Sequence, residues 1–170
     1  MRFRRLGFTA LMVALLAGCA QTIETDSTFD PTEVAFINTR GNGVIEGQIV
    51  ARQMGGGVVT CAATEVTLIP AGSFATERIA AIYGSAQGGR RDAIRGGVDM
   101  SNVPPAYIEM TRSTACDAQG NFRFEGLAPG EYFVQGHVTW FVPGRIVPEG
   151  AQFSRRVSVT PGSTQRVILS

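Results

Sequence analysis

Three turn signals divide the C-terminal third of this chain into short pieces. Asp117-Ala118-Gln119-Gly120, Leu127-Ala128-Pro129-Gly130 and Thr160-Pro161-Gly162-Ser163 each supply Gly or Pro where a chain reverses. The pieces between them are long enough only for strands. Further upstream, Val44, Glu46, Gln48 and Val50 alternate with Ile45, Gly47, Ile49 and Ala51, which puts Ile45 and Ile49 on one face. Residues 65–69, closed by Pro70, read as a second strand. Residues 107–116 are expected to pair with 121–124 across the first turn. A long strand over 131–141, then 152–159 and 164–169, complete an all-β, seven-stranded antiparallel sandwich.

One segment breaks the two-residue period. Ala75, Ile79, Ile82 and Tyr83 stand at helical spacing and Gly84 supplies a stop, so 76–83 reads as a helix. The Gly-rich residues 84–105 show no period and read as a long loop. A helix-plus-loop insertion over 74–105 therefore interrupts the sandwich.

The first nineteen residues, MRFRRLGFTALMVALLAGC, form a lipoprotein export signal. Arg2, Arg4 and Arg5 give the positive start, residues 6–16 an apolar run too short for a lasting membrane span, and Leu16-Ala17-Gly18-Cys19 a lipobox. Residues 1–18 are expected to be removed and the Cys19 thiol to carry the acyl group, palmitate among its chains. The mature chain of 152 residues fits one domain. Residues 19–41 read as a lipidated tether, polar at first. Asp30-Pro31-Thr32-Glu33 then offers a cap, a first-turn Pro and an acidic third position for a short helix reaching residue 39. As flexible chain, 20–41 would span on the order of 25 Å. Ala20 lacks the Asp that favours inner-membrane retention, so the expected location is the outer membrane, lipid-anchored on its periplasmic face.

Composition removes several chemistries. All fifteen basic residues are Arg, which excludes Schiff-base catalysis and Lys–Asn crosslinks. The mature chain carries a net charge of −2 and no basic run, unlike a nucleic-acid binder. With Cys19 acylated, Cys61 and Cys116 remain as an even pair in an exported chain. A disulfide closing a loop of 55 residues is expected. The competing uses are weaker. A nucleophilic thiol lacks an evident base, because His137 is the only His, and a two-Cys metal site lacks CxxC spacing.

The stretch DAQGNFRFEGLAPGEYFVQ, residues 117–135, resembles the core hairpin of carboxypeptidase regulatory-like domains. The resemblance rests on Asp117, Gly120, Phe122, Phe124, Leu127, Pro129, Gly130 and Tyr132. GVIEGQIVAR and RRVSVTPGSTQRVIL look like the first and last strands of the same fold. The resemblance covers 42–170 apart from the insertion and implies a prealbumin-like sandwich, a fold that hosts many functions. The physical reading agrees: Phe122 and Phe124 share one strand face, and Asp117 bonds the turn amides. Related enzymes use two His on iron or a Tyr-Arg-Gly-Ser tail, and neither set exists here.

The remaining candidates are binding groups. Trp140, Phe141, Arg145 and Arg155 could stack on a sugar or grip an anion, in competition with Trp140 capping the core. Arg90, Arg91 and Arg95 could meet phosphates from the loop, or be solvated. His137 is expected on the face opposite Val134, Val138 and Trp140. The resulting expectation is a non-catalytic envelope lipoprotein without cofactor or metal, a structural or protein-interaction module, or alternatively a glycan- or peptidoglycan-binding one. Cys19→Ser is expected to abolish membrane retention; recovery of that variant only in detergent extracts would disprove the anchor.

Overall fold

The computed structural model describes residues 20–170, and the export signal and Cys19 lie outside the described residues. Nine strands form two sheets packed face to face. In the smaller sheet β1 (Arg40–Arg52) lies between β6 (Asn121–Leu127), which is antiparallel to it, and β9 (Thr164–Leu169), which is parallel. The short β2 (Val58–Thr60) pairs with the last three residues of β1. The larger sheet runs β4 (Gly88–Asp92), β8 (Glu149–Val159), β7 (Gly130–Trp140), β3 (Glu65–Pro70), β5 (Arg112–Ala115), antiparallel throughout.

The main core lies between the sheets. Ile45 and Ile49 of β1, Phe122 and Phe124 of β6, and Tyr132, Val134 and Val138 of β7 are all buried there. Gly136 has no room for a side chain, because a Cβ would come within 2.4 Å of the Ile49 Cδ1. Gly120 closes its turn at φ +83°, as the turn signal requires. Asp117 accepts from the Gln119 and Asn121 amides at 2.9 and 2.8 Å. The Tyr132 hydroxyl donates to the Ala128 carbonyl at 2.8 Å, which ties the strand to the turn before it.

The all-β sandwich agrees with the sequence reading, and several details refine it. The strand count is nine because β2 and β4 are short and carry little period of their own. β9 joins β1 in parallel, with Val44 opposite Thr164 and Ile49 opposite Leu169. Residues 107–116 do not form one strand beside 121–124. Pro105 starts a short helix, α2 (Pro105–Glu109), and β5 pairs with β3 in the other sheet. The turn at 117–120 thus crosses between sheets instead of closing a hairpin. Asp30 binds the Thr32 amide and hydroxyl at 2.8 and 2.7 Å, a local turn that replaces the expected helix start. Only a 3-10 turn, Ala35–Asn38, follows.

Cys61 and Cys116 form a disulfide, with Cα atoms 5.7 Å apart, between the segments that leave β2 and β5. It therefore bonds covalently across the point where the chain changes sheets. Closing a 55-residue loop stabilises by about 4 kcal/mol on the chain-entropy model. Replacing both cysteines by Ala is expected to lower the unfolding free energy by about 2–4 kcal/mol in a denaturant titration. Wild-type protein should migrate more slowly on a denaturing gel after reduction; two titratable thiols before reduction would contradict the bond.

Candidate functional site

The insertion covers the outer face of the larger sheet. Tyr132, Phe133 and Val134 are all buried although neighbouring side chains of a strand point to opposite faces. Phe133 therefore needs apolar cover on the outside, and the insertion supplies it. Helix α1 (Ser73–Tyr83) lays Phe74, Ala75 and Ile79 over Phe133 and Ile69, and Val103 and Tyr107 of the later insertion join this second core. The helix ends at Gly84, whose φ of +79° is the stop expected from sequence.

The segment before β1 is fastened across this insertion. The Gln21 amide donates to the Gly97 carbonyl at 3.1 Å, and the Asp99 amide donates to the Gln21 carbonyl at 2.9 Å. Asn102 Nδ2 donates to the Ile23 carbonyl at 2.8 Å. Phe29 meets Phe74 and Tyr107 edge-on, with ring centroids 5.9 and 5.6 Å away. The Glu33 carboxylate accepts from the Ser73 amide and hydroxyl, capping an α1 start that has no cap of its own. Glu77 accepts from the Asp26 and Ser27 amides at 2.6 and 2.9 Å. Residues 20–38 are thus a packed strap, not a free tether.

Between insertion and sheet a cleft of about 480 Å³ stays open, within the usual range for a small-molecule site. Its floor carries Thr67 of β3 opposite Gln135 of β7, and His137 of β7 opposite Gln152 of β8. Glu65 stands two residues before Thr67 on the same face. The wall carries Tyr83, Ile82 and Arg78 of α1, with Met100 and Tyr107 beyond them. Gln135 Nε2 donates to the Tyr83 hydroxyl at 2.9 Å, fixing the wall to the floor.

Electrostatics gives this cleft donors and one buried cation. Burial pushes the Tyr107 hydroxyl up to about 12, only partly opposed by Arg78, so it stays protonated. Burial also raises Tyr83, against the bond from Gln135. Arg78 is only 3% exposed, and burial lowers its affinity for the proton. Its Nη2 reaches the Asp99 carbonyl at 3.3 Å and Met100 Sδ at 3.2 Å. Among the described residues it makes no ion pair.

The residues singled out from sequence are dispersed. His137 is exposed on the outer face, as alternation requires, and lines the cleft. Trp140 packs its ring against the main core, with Nε1 buried and unpaired. Phe141 is exposed, and Arg145 pairs with Glu149 at 2.6 Å. Arg155 lies opposite Val134, six residues from Trp140 along β7, or about 20 Å. The structure therefore does not assemble these four into one patch. Arg91 is buried and donates to the Gly96, Arg95 and Gln21 oxygens, so it orders the Gly-rich loop instead of facing solvent. Arg90 pairs with Asp92 at 3.0 Å and lies over the Phe153 ring.

The cleft residues Gln135, Gln152, Tyr83, Tyr107 and Arg78 were not candidates on sequence. One signal was available: Tyr132-Phe133-Val134 is a continuous apolar run, the mark of a strand covered on both faces. Among the described residues no group of three or more His, Cys, Asp and Glu is arranged to hold a metal ion, and no helix is long and apolar enough to cross a membrane.

No family model matches the chain, and no curated protein matches it. The crystal structure of a candidate carbohydrate-binding protein from Pseudomonas aeruginosa is similar, with a TM-score of 0.70 and 26% identity. The match covers 84% of this chain and 97% of that one. A minor pilin of the Gram-positive pathogen Streptococcus agalactiae is similar over 77% of this chain and 44% of its own. Its TM-score of 0.39 and 16% identity are too low to bear on the site. The chain is thus a β-sandwich protein with a capped cleft on its larger sheet.

Bonds from the Ser27 hydroxyl and from the Asp26 and Ser27 amides hold the Glu77 carboxyl below its ordinary value of 4.5. A lowered folded value means the stabilisation is present above 4.5 and is lost as pH falls through the folded value. Amide exchange at Asp26 and Ser27 is expected to be slow at neutral pH and to accelerate, relative to the rest of the chain, under acid. Glu77→Gln should remove that pH dependence; an unchanged profile would show that Glu77 does not hold the strap.

Proposed function

We propose that this protein is a lipid-anchored envelope protein whose capped cleft binds a glycan. The observation that carries the reading is the cleft floor. Gln135, His137, Gln152, Thr67 and Glu65 project from neighbouring strands on one face, beside the ring of Tyr83. Side chains on such a face stand about 5 Å apart across strands and about 7 Å along them, a spacing that suits the hydroxyls of a sugar ring. Planar amides and a carboxylate can each bond two adjacent hydroxyls, while an aromatic wall meets the apolar face of the ring. The description of the similar Pseudomonas protein as carbohydrate-binding supports the same reading.

Arg78 narrows the ligand class. Among the described residues its guanidinium bonds only the Asp99 carbonyl and Met100 Sδ, with the Asp99 carboxylate acting on it from further away, so a sugar bearing a carboxylate suits the cleft better than a neutral one. The reading is a binding role without turnover, and the protonated tyrosines support it as donors, not bases. The lipobox at Leu16–Cys19 supports placement at the outer membrane, facing the periplasm. The burial of Phe122, Phe124, Leu127 and Tyr132 in the core, and the turn amides' bonds to Asp117 before them, support kinship with carboxypeptidase regulatory-like domains. An envelope protein partner is a second reading, supported by β9. Among the described residues it pairs only with β1, and Ile168 on it is exposed, so its outer edge could accept a strand.

The test is a glycan array followed by calorimetric titration of the best hit. An acidic saccharide is expected among the binders. His137→Ala or Gln152→Ala, at sites open to solvent, should each weaken binding about tenfold, as expected for losing one charge-assisted or paired hydrogen bond. An array without binders, or variants that bind like wild type, would overturn the cleft as a glycan site.

A further inference from the structure

One end of the sandwich presents an apolar surface. The 141–148 connection between β7 and β8 leaves Phe141 73%, Ile146 94% and Val147 48% exposed. The turn after β4 leaves Ile94 75% exposed. The register brings these together: Trp140 pairs with Glu149 at the mouth of the β7–β8 connection. Asp92, the last residue of β4, pairs with Ala151 only two residues further along β8. Large apolar side chains grouped at one tip, not scattered, mark a surface that meets something.

The start of the described chain lies beside this tip. Gln21 is bonded to Gly97 and Asp99, and its side chain accepts from Arg91 of β4, whose guanidinium also donates to the Arg95 and Gly96 carbonyls. Residue 21 is thereby fixed against the loop that carries Ile94. Cys19 is two residues earlier, a reach of at most about 7 Å from Gln21. The flexible span of about 25 Å expected from sequence does not exist, because that stretch is used up by the strap. A thioether-linked lipid at Cys19 would leave no slack between the domain and its leaflet.

We propose that the tip formed by Phe141, Ile146, Val147 and Ile94 seats in the headgroup region of the phospholipid leaflet that holds the acyl chains of Cys19. The inference rests on the lipid-anchor reading. Arg95 stands at the same tip and makes no ion pair among the described residues, which leaves it for lipid phosphate. Arg145 and Glu149 neutralise each other at the rim, so no net acidic charge opposes approach. Acyl chain and apolar tip act as two signals for one surface, an arrangement that gives firm attachment where one signal is marginal. The seat fixes the orientation of the sandwich. The 160–163 turn, at the far end of β8 and about 33 Å along the strands, points away from the leaflet.

The test uses full-length lipidated protein in phospholipid vesicles containing a brominated phospholipid, with its single Trp relocated. Trp140→Phe with Ile146→Trp reports on the tip, and Trp140→Phe with Thr160→Trp reports on the opposite end. Quenching at position 146 should exceed that at 160 by at least twofold. Adding Phe141→Asp and Val147→Asp should bring the 146 signal down to the 160 level while the protein stays on the vesicles. Equal quenching at both positions in vesicle-bound protein would overturn the seat and leave the anchor standing. Protein that does not reconstitute, with residue 19 unmodified by mass spectrometry, would overturn both. A tip buried between two copies, seen as a crosslinked dimer through position 146 on vesicles, would also overturn it.

Discussion

Part of the outer face of the larger sheet is dry because Phe133 and Ile69 project from it and need an apolar partner. Burying a side chain the size of Phe stabilises by about 1.5–3 kcal/mol, enough to hold an insertion that has little regular structure of its own. Helix α1 meets this demand with Phe74, Ala75 and Ile79, and the rings of Phe29, Phe74 and Tyr107 close edge to face around it. The cover does not extend over the whole sheet. Where it stops, the polar residues of β3, β7 and β8 remain exposed beneath an aromatic wall, and that margin is the cleft.

Backbone groups of the insertion are satisfied partly by a buried guanidinium of its own and partly by the strap before β1. Arg91 donates to carbonyls in the Gly-rich loop, Glu33 caps α1 and Gln21 bridges to Gly97 and Asp99. The Glu33 and Gln21 bonds join parts of the chain that a β-sandwich alone would leave apart. A loop with five glycines is costly to order, and here a buried guanidinium together with the strap offsets that cost. The same bonds bring the chain entry next to the β7–β8 tip, so the order of the insertion and the geometry of any membrane anchor have one cause.

Much of the sandwich was legible in single residues. Ile45 and Ile49, Phe122 and Phe124, and Val134 and Val138 are buried where alternation puts them. Gly84 and Gly120 adopt the positive φ angles their positions suggested, and Cys61 and Cys116 are bonded. The misread parts share a physical feature. Residues 88–92 form a strand only because β8 offers a partner edge, and Pro105 to Glu109 is a helix only because Tyr107 fits beneath the strap. Neither segment has a period of its own. Trp140, Phe141, Arg145 and Arg155 are near in sequence, but strand geometry separates Arg155 from the others and turns Trp140 inward.

Local structure was therefore settled by the chain itself: strands of alternating pattern and turns at Gly120, Gly130 and Gly162. These depend on neighbours within a few residues, through backbone φ preferences and side-chain alternation. The cleft, the strap and the apolar tip were decided by tertiary packing. They join residues up to about eighty positions apart, such as Gln21 with Asp99 and Asn102 with Ile23. Long-range burial and hydrogen-bond satisfaction choose among such pairings only once both sheets exist, because only then is there an outer face to cover.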